Sequence, residues 1–315
     1  MTNKPITYFD IIEAKKAFNA QRNIIEFLSF KKENALNITE IIETAYDIQA
    51  GSYIEFAKSN LDYVSLYSTE LAGILSKHIK NNDSLIDIGT GEITTLSQVL
   101  IKLKKLPRKV YAFDISWSRI YKGIFYAKDI LNFNYKALNL FVADINAIPL
   151  PDKSINITTS NHALEPNGDK LIGLLNELFR ITIDKLILFE PCFEINSLEG
   201  KKRMERLGYI KNLDGVVKEL GGEVIEKIIL KNSANPLNPT VCFIINPPPF
   251  HDPLESIVKS KKISYTVPGT NYEIKRQENF YFSNQIGLCY PIIKGVPILK
   301  VKNAILASAL TDLTV

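Results

Sequence analysis

The chain has 315 residues, of which 46% are hydrophobic, so it can bury a full core in one large domain with a smaller one beside it. The 38 Lys and Arg residues exceed the 34 Asp and Glu residues by only four and are scattered along the sequence, which argues against a nucleic-acid partner. The three cysteines form no C-x-x-C pair, and no apolar run reaches the roughly 18 residues of a membrane span. We therefore expect reduced thiols, no metal and a soluble cytoplasmic protein.

The first part of the chain has a helical pattern. Apolar residues recur at helical spacing from residue 8 to about residue 60, and a further helix is predicted over residues 68–80. Short apolar strands then alternate with amphipathic helices, a pattern typical of a parallel sheet covered on both faces. We expect an α/β fold with a helical lid over residues 1–66 and a sheet domain over residues 67–246.

Seven strands are predicted in the sheet domain. They span residues 84–88, 109–113, 138–142, 155–159, 185–189, 223–229 and 240–245. The last two are joined by residues 231–239, which is too short for a crossover helix, so they should pair as an antiparallel hairpin at the edge of the sheet. A purely parallel dinucleotide-binding domain would lack this hairpin.

A proline-rich segment separates the sheet domain from the C-terminal part. Residues 246–250 read Asn-Pro-Pro-Pro-Phe, which predicts a stiff linker. From residue 263 to residue 299 the sequence has short β segments with turns at Pro268-Gly269 and Lys294-Gly295. We expect a small β-rich domain over residues 254–315, too small for much of a core of its own and packed on the main domain.

The first predicted strand is followed by a glycine-containing loop. Asp87 ends the strand and Gly89-Thr90-Gly91 follows, where small residues let the backbone approach a ligand. A helix with an apolar face is predicted after it, over residues 92–104. Dinucleotide loops of the G-x-G-x-x-G type need a glycine where this chain has Thr94, so a pyrophosphate would not approach the helix N-terminus as closely.

Two further carboxylates follow the next two strands. Asp114 ends the second strand, where it can accept two ribose hydroxyl hydrogens. Asp144 ends the third strand, where it can accept a hydrogen bond from an exocyclic adenine amine. Each acid alone could equally be a solvated helix cap, but three acids at three successive strand ends favour a nucleoside-containing cofactor.

With these motifs the chain resembles the class I S-adenosylmethionine-dependent methyltransferases with a short D-x-G-x-G loop. Residues 84–191 carry the resemblance, and residues 147–154 are similar to the family's link into the fourth strand. Ile93 stands where the family has a third loop glycine. The resemblance implies that S-adenosylmethionine is the cofactor and that the residues holding it, from the methionine end to the adenine, are Asp87, Gly89, Gly91, Asp114, Asp144 and Ile145.

The segment before the sheet offers side chains suited to a lid. In similar enzymes such helices cover the cofactor, so Tyr53 is a candidate for contacting the cofactor, and Tyr46 and Gln49 are candidates for contacting its amino-acid end or the substrate. The alternative is that the two tyrosines only pack between helices.

The segment after the fourth strand holds the candidate catalytic residues. Methyl transfer needs an aligned acceptor and a base, and His162 follows this strand directly at the rim where such sheets bind ligands. The alternative is that His162 only orients the loop. Glu165 is predicted to orient His162 or to bind a substrate hydroxyl. Glu190, at the end of the fifth strand, and Asn235, between the last two strands, are predicted to bind the substrate, although Asn235 could instead only build a turn.

The Asn-Pro-Pro-Pro-Phe segment mimics the N-P-P-F motif of methyltransferases that act on the amino groups of nucleic-acid bases. In that family the motif follows the fourth strand, whereas here it follows the last one. We therefore favour an oxygen acceptor, with an amine or a phosphate-linked group as the alternatives.

The C-terminal segment, from Ile286 to Leu299, resembles the end of the small activator subunit of tRNA and translation-factor methyltransferases, but without the cysteine pairs of its zinc-bearing members. Two enzymatic hypotheses follow. The chain resembles methyltransferases encoded with bacterial surface-polysaccharide assembly, which implies a small-molecule or glycan substrate such as a sugar or its phosphorylated or nucleotide-activated form. The activator-like segment implies instead a tRNA or a translation protein. A third hypothesis is a noncatalytic binding protein, and no oligomeric state is predicted.

Overall fold

The computed structural model describes residues 5–32, 38–249 and 263–313. Five α-helices precede the sheet: α1 (Tyr8–Asn19), α2 (Ile24–Lys31), α3 (Thr39–Ile48), α4 (Ser52–Ser59) and α5 (Leu61–Leu75). The amphipathic pattern of this part of the sequence correctly predicted helices. Phe250, the last residue of the predicted linker, lies outside the described residues, as do residues 254–262 of the predicted C-terminal domain.

The sheet has the seven strands that the sequence predicts. They are β1 (Ser84–Ile88), β2 (Lys109–Asp114), β3 (Leu138–Val142), β4 (Ile155–Asn161), β5 (Thr182–Pro191), β6 (Glu223–Ile229) and β7 (Thr240–Asn246). Their order across the sheet is β3-β2-β1-β4-β5-β7-β6. The first five strands are parallel to one another, and β7 is antiparallel to both β5 and β6. The predicted α/β class with a terminal antiparallel hairpin is confirmed.

Five further α-helices connect the strands: α6 (Thr94–Leu100), α7 (Trp117–Leu131), α8 (Leu171–Ile181), α9 (Leu198–Arg206) and α10 (Leu213–Glu219). Two predicted helices have wrong bounds at both ends, and they end at Leu75 and Leu100 instead of residues 80 and 104. The helix predicted over residues 68–80 begins at Leu61, so a domain boundary after residue 66 would cut α5, whose later part lies in the core of the sheet domain. The helix predicted from residue 92 begins at Thr94, because Ile93 has a left-handed backbone conformation.

Side chains of the strands point alternately into two apolar cores. The first core contains Ile86, Phe113 and Leu188 and is covered by α8, α10 and the C-terminal segment. The second core contains residues one position earlier on the same strands and is covered by α5, α6 and α7. Both faces of the sheet are therefore buried, which explains why its central strands read as nearly continuous apolar runs.

The C-terminal segment forms a small antiparallel sheet. Its strands are β8 (Lys275–Arg276), β9 (Phe280–Ser283), β10 (Leu288–Ile293), β11 (Val296–Pro297) and β12 (Ile305–Leu306). Val267, Tyr290 and Leu299 are buried in the first core of the main sheet. The expectation that this segment packs on the main domain is correct, while its resemblance to the activator subunit stays a prediction.

The C-terminal sheet covers a part of the main sheet that no helix covers. Among the described residues, the connection from β3 to β4 contains no helix, and its Ile148 and Leu150 are buried in the first core. The backbone N–H groups of Thr266 and Gly269 donate to the carbonyls of Pro149 and Ile148, at 3.1 Å and 3.2 Å. The C-terminal segment therefore takes the place of a crossover helix. No helix among the described residues is long and apolar enough to cross a membrane.

Candidate active site

A cleft of about 560 Å³ lies at the carboxyl ends of β1 to β4, under the N-terminal helices α3 to α5. Ligands of open α/β sheets bind at this edge, because the strand order reverses between β1 and β4. Ten of the predicted site residues line this one cleft: Tyr46, Tyr53, Asp87, Gly89, Gly91, Asp114, Asp144, Ile145, His162 and Glu165. Gln49, Glu190 and Asn235 do not line it.

The loop after β1 has the conformation that only small residues allow. Gly89 and Gly91 have φ values of +62° and +58°. A Cβ on Gly89 would lie 2.6 Å from the Cβ of Ala163, in the loop after β4. The N–H of Gly91 donates to the Asp114 carboxylate at 3.0 Å, which ties the glycine loop to the acid 23 residues later. Gly89 is therefore required both by its backbone and by the close approach of a second loop, whereas Gly91 is favoured by its backbone conformation.

Ile93 has the left-handed backbone conformation that a glycine at this position would adopt without strain. Its φ is +60° and its ψ is +13°, although a β-branched side chain disfavours this region. The side chain is completely buried in the second core. The loop thus keeps the shape of a glycine loop, and burial of the isoleucine offsets the strain of its backbone.

The three predicted acids lie together at the rim. Burial raises the pKa of Asp87 to about 7, and the negative charge of Asp114 acts in the same direction. Asp114 is 4% exposed and accepts a second hydrogen bond from the N–H of Ser116 at 2.9 Å. Asp144 is held through one oxygen, which accepts bonds from the backbone and side-chain nitrogens of Asn146 at 2.9 Å and 2.6 Å. Each acid therefore has a fixed orientation at the end of its own strand.

Arg119, in the first turn of α7, is a cleft residue that the sequence analysis missed. Its guanidinium lies between the rings of Tyr46 and Tyr53, at 4.4 Å and 4.5 Å from their centroids. The residue is 5% exposed, and its Nε has no hydrogen-bond partner. The signal that could have found it is its position five residues after Asp114, where the first turn of a helix returns to the same rim.

Two carboxylates attach the lid helices to the rim. Glu92 accepts hydrogen bonds from the N–H groups of Gly51 and Ile54, both at 2.9 Å, at the N-terminus of α4. Asp47 in α3 accepts bonds from the hydroxyls of Ser116 and Ser118, both at 2.9 Å. The lid is therefore bonded to the two loops that follow β1 and β2.

His162 and Glu165 form a partly buried ion pair at the other end of the cleft. Glu165 lies 2.8 Å from Nδ1 of His162, and the Thr240 hydroxyl lies 2.9 Å from Nε2. Burial opposes the charged imidazole, but the hydrogen bond and charge of Glu165 outweigh it and raise the pKa of His162. Asn238 also donates to Glu165 at 3.1 Å. Since both ring nitrogens are already hydrogen bonded, this geometry favours the alternative role of His162, in which it orients the loop.

The structure does not bring Glu190 to the cleft, so its predicted contact with substrate is wrong for this conformation. Glu190 is completely buried, and one of its oxygens accepts bonds from the Ser160 hydroxyl at 2.7 Å and from the N–H groups of Ala163 and Leu164 at 3.1 Å. Burial raises its pKa to about 7. Glu190 therefore fixes the loop that carries His162.

Gln49 and Asn235 also have roles outside the cleft. The N–H of Gln49 donates to the carbonyl of Ala45 at the end of α3. Asn235 is exposed, and its side-chain oxygen accepts a bond from the N–H of Leu237, as in the turn-building alternative. The neighbouring Asn238 is the residue of this segment that reaches the His162 and Glu165 pair.

Aromatic side chains of the lid form the remaining wall. Tyr63 and Tyr67 stack at 5.7 Å, and Phe56 meets Tyr63 edge-on at 5.9 Å. The Tyr67 hydroxyl donates to the side-chain oxygen of Asn161 at 2.6 Å. This end of the cleft therefore combines aromatic faces with a few oriented polar groups, as ligand sites commonly do.

No family profile matches the chain, and no curated protein matches it. Among solved structures, one chain of the complex between the Haloferax volcanii Trm112 methyltransferase activator and a candidate methyltransferase matches with a TM-score of 0.50 and 15% identity, over 64% of this chain and 96% of that chain. Geranyl diphosphate C-methyltransferase from Streptomyces coelicolor A3(2) matches with a TM-score of 0.43 and 11% identity, over 56% and 79% of the two chains. A candidate methyltransferase from Bacillus halodurans C-125 matches with a TM-score of 0.44 and 13% identity, over 57% and 99%.

The match at a TM-score of 0.50 is a likeness of fold, and in this chain that fold has the strand order β3-β2-β1-β4-β5-β7-β6. This chain therefore has the seven-stranded Rossmann-like fold of methyltransferases, with helices before the sheet and a small antiparallel sheet after it.

Proposed function

We propose that this protein is an S-adenosylmethionine-dependent methyltransferase. One observation carries the proposal: acids at the ends of three adjacent strands line the same cleft as two left-handed glycines, and one of the acids is bonded to the glycine loop. Among α/β sheets, this arrangement suits a nucleoside whose ribose, base and attached chain lie across successive strand ends.

In this proposal the cofactor extends along the rim from β3 to β1. Asp144 and Ile145 would contact the adenine. Asp114, whose two oxygens each retain acceptor capacity beyond one backbone bond, would accept the ribose hydroxyls. The methionine end would lie over Gly89, beside Asp87.

The charges that line the cleft suit this cofactor, whose sulfonium and ammonium groups are positive. The acids lining the cleft are Asp87, Glu92, Asp114, Asp144 and Glu165. Arg119 is the candidate partner for the cofactor carboxylate, because it is a cation that lines the cleft and its buried Nε, 3.9 Å from the Glu92 carboxylate, has no hydrogen-bond partner.

The bound cofactor would supply an electrophilic methyl group, and the protein would align an acceptor for in-line displacement. We propose a sugar hydroxyl as the acceptor, on a glycan building block of a surface polysaccharide. The stacked rings of Tyr63 and Tyr67 offer a face for the apolar side of a sugar ring, and Asn161 offers an amide for its hydroxyls.

The role of His162 as the base stays a prediction. To take the acceptor proton at Nε2, the ring would first exchange its bond with Thr240 for one with the acceptor hydroxyl. Glu165 would then hold Nδ1 and stabilise the imidazolium.

Calorimetry tests the cofactor. We expect the purified protein to bind S-adenosylhomocysteine, and we expect Asp114→Asn to weaken this binding strongly, since an amide cannot accept at both positions. A chelator should leave binding unchanged, because the proposed reaction uses the sulfonium as its electrophile. A wild-type protein that binds neither S-adenosylmethionine nor S-adenosylhomocysteine would instead support a noncatalytic binding protein.

Transfer of labelled methyl groups tests the acceptor. The donor would be offered with separate pools of nucleotide sugars, bacterial polysaccharide and bulk tRNA. Label in a sugar-containing pool supports the glycan proposal. Label in tRNA alone would overturn it and favour the second enzymatic hypothesis.

A further inference from the structure

A short stretch of the C-terminal segment, residues 298–302, crosses the rim of the candidate cofactor site. Ile298 pairs in parallel with Val142, the last residue of β3, and the N–H of Leu299 donates to the Val142 carbonyl at 2.8 Å. Asp144, the proposed adenine contact, follows two residues later. The C-terminal segment thus continues the main sheet next to the cleft.

Lys300 extends this contact to the lid. Its ammonium lies 2.6 Å from the Glu43 carboxylate in α3 and 3.2 Å from the carbonyl of Ile115. Ile115 lines the cleft and follows Asp114 directly. One side chain therefore joins three parts of the chain: the C-terminal segment, the end of β2 and the lid helix α3.

Burial distinguishes Lys300 from the other cation that contacts the same carboxylate. Lys300 has 6% of its side chain exposed, whereas Lys302, also 2.6 Å from Glu43, has 47% exposed. An exposed ion pair contributes little because water screens it, but a buried ammonium that loses its partners is costly. Lys300 is thus the cation that fixes the position of α3.

The position of α3 determines the shape of the cleft. This helix carries Tyr46, whose ring lies against Arg119, and Asp47, which is bonded to Ser116 and Ser118 after β2. If Glu43 were released, α3 would keep its attachment through Asp47 and the one at its first residue, Thr39, whose hydroxyl accepts a bond from Lys170 at 3.3 Å. It would lose the attachment between these two, and the part of α3 around Glu43 would be free to move away from the rim.

We propose that Lys300 is a positioning residue through which the C-terminal segment holds the lid and the β2 rim in the arrangement that binds the cofactor. Cofactor affinity then depends on a residue that does not itself line the cleft. The identity of the ligand in this inference rests on the proposed function. The lid movement that it predicts does not.

The test compares Lys300→Met with Lys302→Met in the full-length protein. Both variants remove one ammonium from Glu43, but only the first removes the bond to Ile115 and the buried link to the lid. We expect Lys300→Met to weaken binding of S-adenosylhomocysteine about tenfold and Lys302→Met to change it less than about threefold. Lys300→Arg should restore part of the affinity.

Amide hydrogen exchange in α3 gives a second readout that needs no ligand. Faster amide exchange in α3 of the Lys300→Met variant than in α3 of the Lys302→Met variant would support the proposal. Unchanged exchange in α8, which is not part of the lid, would exclude general unfolding. Equal cofactor affinity in the two variants, or equal exchange in α3, would overturn it. If the wild-type protein binds no S-adenosylhomocysteine, the proposed function fails, and the exchange comparison still decides whether Lys300 holds the lid.

Discussion

The two ends of the cleft are built in different ways. At the cofactor end, the acids and glycines lie at the end of a strand or in the loop directly after it, as Asp87, Gly91, Asp114 and Asp144 do. At the acceptor end, the groups that meet come from distant parts of the chain. Tyr67 and Asn161 are 94 residues apart, and His162 meets Thr240 across 78 residues.

The residues that meet at the cofactor end are determined by the register of the strands. Those that meet at the acceptor end are determined by tertiary packing. Parallel strands bring their carboxyl ends to one edge, so residues at those ends must meet whatever else the chain does. The partners of His162 depend instead on where β7 enters the sheet and on the loop before it. The two ends of the cleft touch where Gly89 approaches Ala163, and substitutions there test whether they act together.

Gly89→Ala should have the largest effect. The new Cβ would lie 2.6 Å from that of Ala163 in a backbone with φ of +62°, so both strain and overlap must be relieved by moving one loop. We expect a loss of roughly 2–4 kcal/mol in the free energy of unfolding and no measurable binding of S-adenosylhomocysteine. Denaturant unfolding and calorimetry measure the two effects.

Gly173→Ala is the matched control for this substitution. Gly173 lies in α8 and a Cβ there would meet nothing within 4 Å, so the change should be neutral or should stabilise by up to about 1 kcal/mol. If Gly89→Ala bound the ligand as tightly as this control, the contact between the two loops would have no role in the site.

Ile93 tests how the cofactor end tolerates its missing glycine. Ile93→Ala removes a completely buried side chain and keeps the strained backbone, so it should destabilise by roughly 2–4 kcal/mol. Ile93→Gly loses the same contacts but relieves the strain, so it should be less destabilising by about 1 kcal/mol. Glycine normally destabilises a folded protein more than alanine does. A higher melting temperature for Ile93→Gly than for Ile93→Ala would therefore identify backbone strain at this position. A lower melting temperature for Ile93→Gly would show that the backbone of Ile93 is relaxed.

The sequence predicted the sheet well because its evidence is local. Four of the seven strands extend beyond their predicted bounds by a few residues, and the other three agree with them. The antiparallel hairpin followed from the length of the connection between β6 and β7. Gly89, Gly91 and the three acids followed from strand ends in the same way.

The errors arose where a side chain had two possible environments. Glu190 ends β5 as Asp114 ends β2, but the loop after β4 folds over it and buries it completely. Asn235 and Asn238 stand three residues apart in one turn, and only the structure shows which of them reaches Glu165. Arg119 looked like an ordinary helix residue, because its two tyrosine neighbours come from helices more than 60 positions earlier.

His162→Ala tests whether the acceptor end acts through chemistry or through position. If His162 orients its loop, the variant should bind S-adenosylhomocysteine about tenfold more weakly, because Ala163 next to it contacts Gly89. A base would leave that affinity unchanged while turnover falls ~10²–10⁴-fold. The amide of His162→Gln can still bond Glu165. If His162 orients its loop, this variant should therefore bind S-adenosylhomocysteine as tightly as the wild type. If His162 is the base, its turnover should stay as low as that of His162→Ala.

The smallest expected effect is the release of a proton from Asp87 on ligand binding. It tests directly where positive charge lies at the cofactor end. The pKa of Asp87, about 7, lies above that of an unfolded aspartate, so the folded protein without ligand binds a proton that the unfolded chain has released. Between about pH 4 and pH 7 this lowers the stability by up to about 1.4 kcal/mol for each unit of rising pH. A positively charged ligand beside the carboxylate would favour its ionised form and displace the proton. Binding of S-adenosylmethionine near pH 7 should therefore release a fraction of one proton.

The release can be measured by calorimetry in two buffers that differ in ionisation enthalpy. Asp87→Asn should abolish it. Glu190→Gln is the matched control, because Glu190 is also buried and its pKa is also raised to about 7, but it does not line the cleft. That variant should lose part of the pH dependence of stability and keep the proton release. Proton release that persisted in Asp87→Asn would place the positive end of the ligand elsewhere in the cleft, and the proposed direction of the cofactor along the rim would have to be reversed.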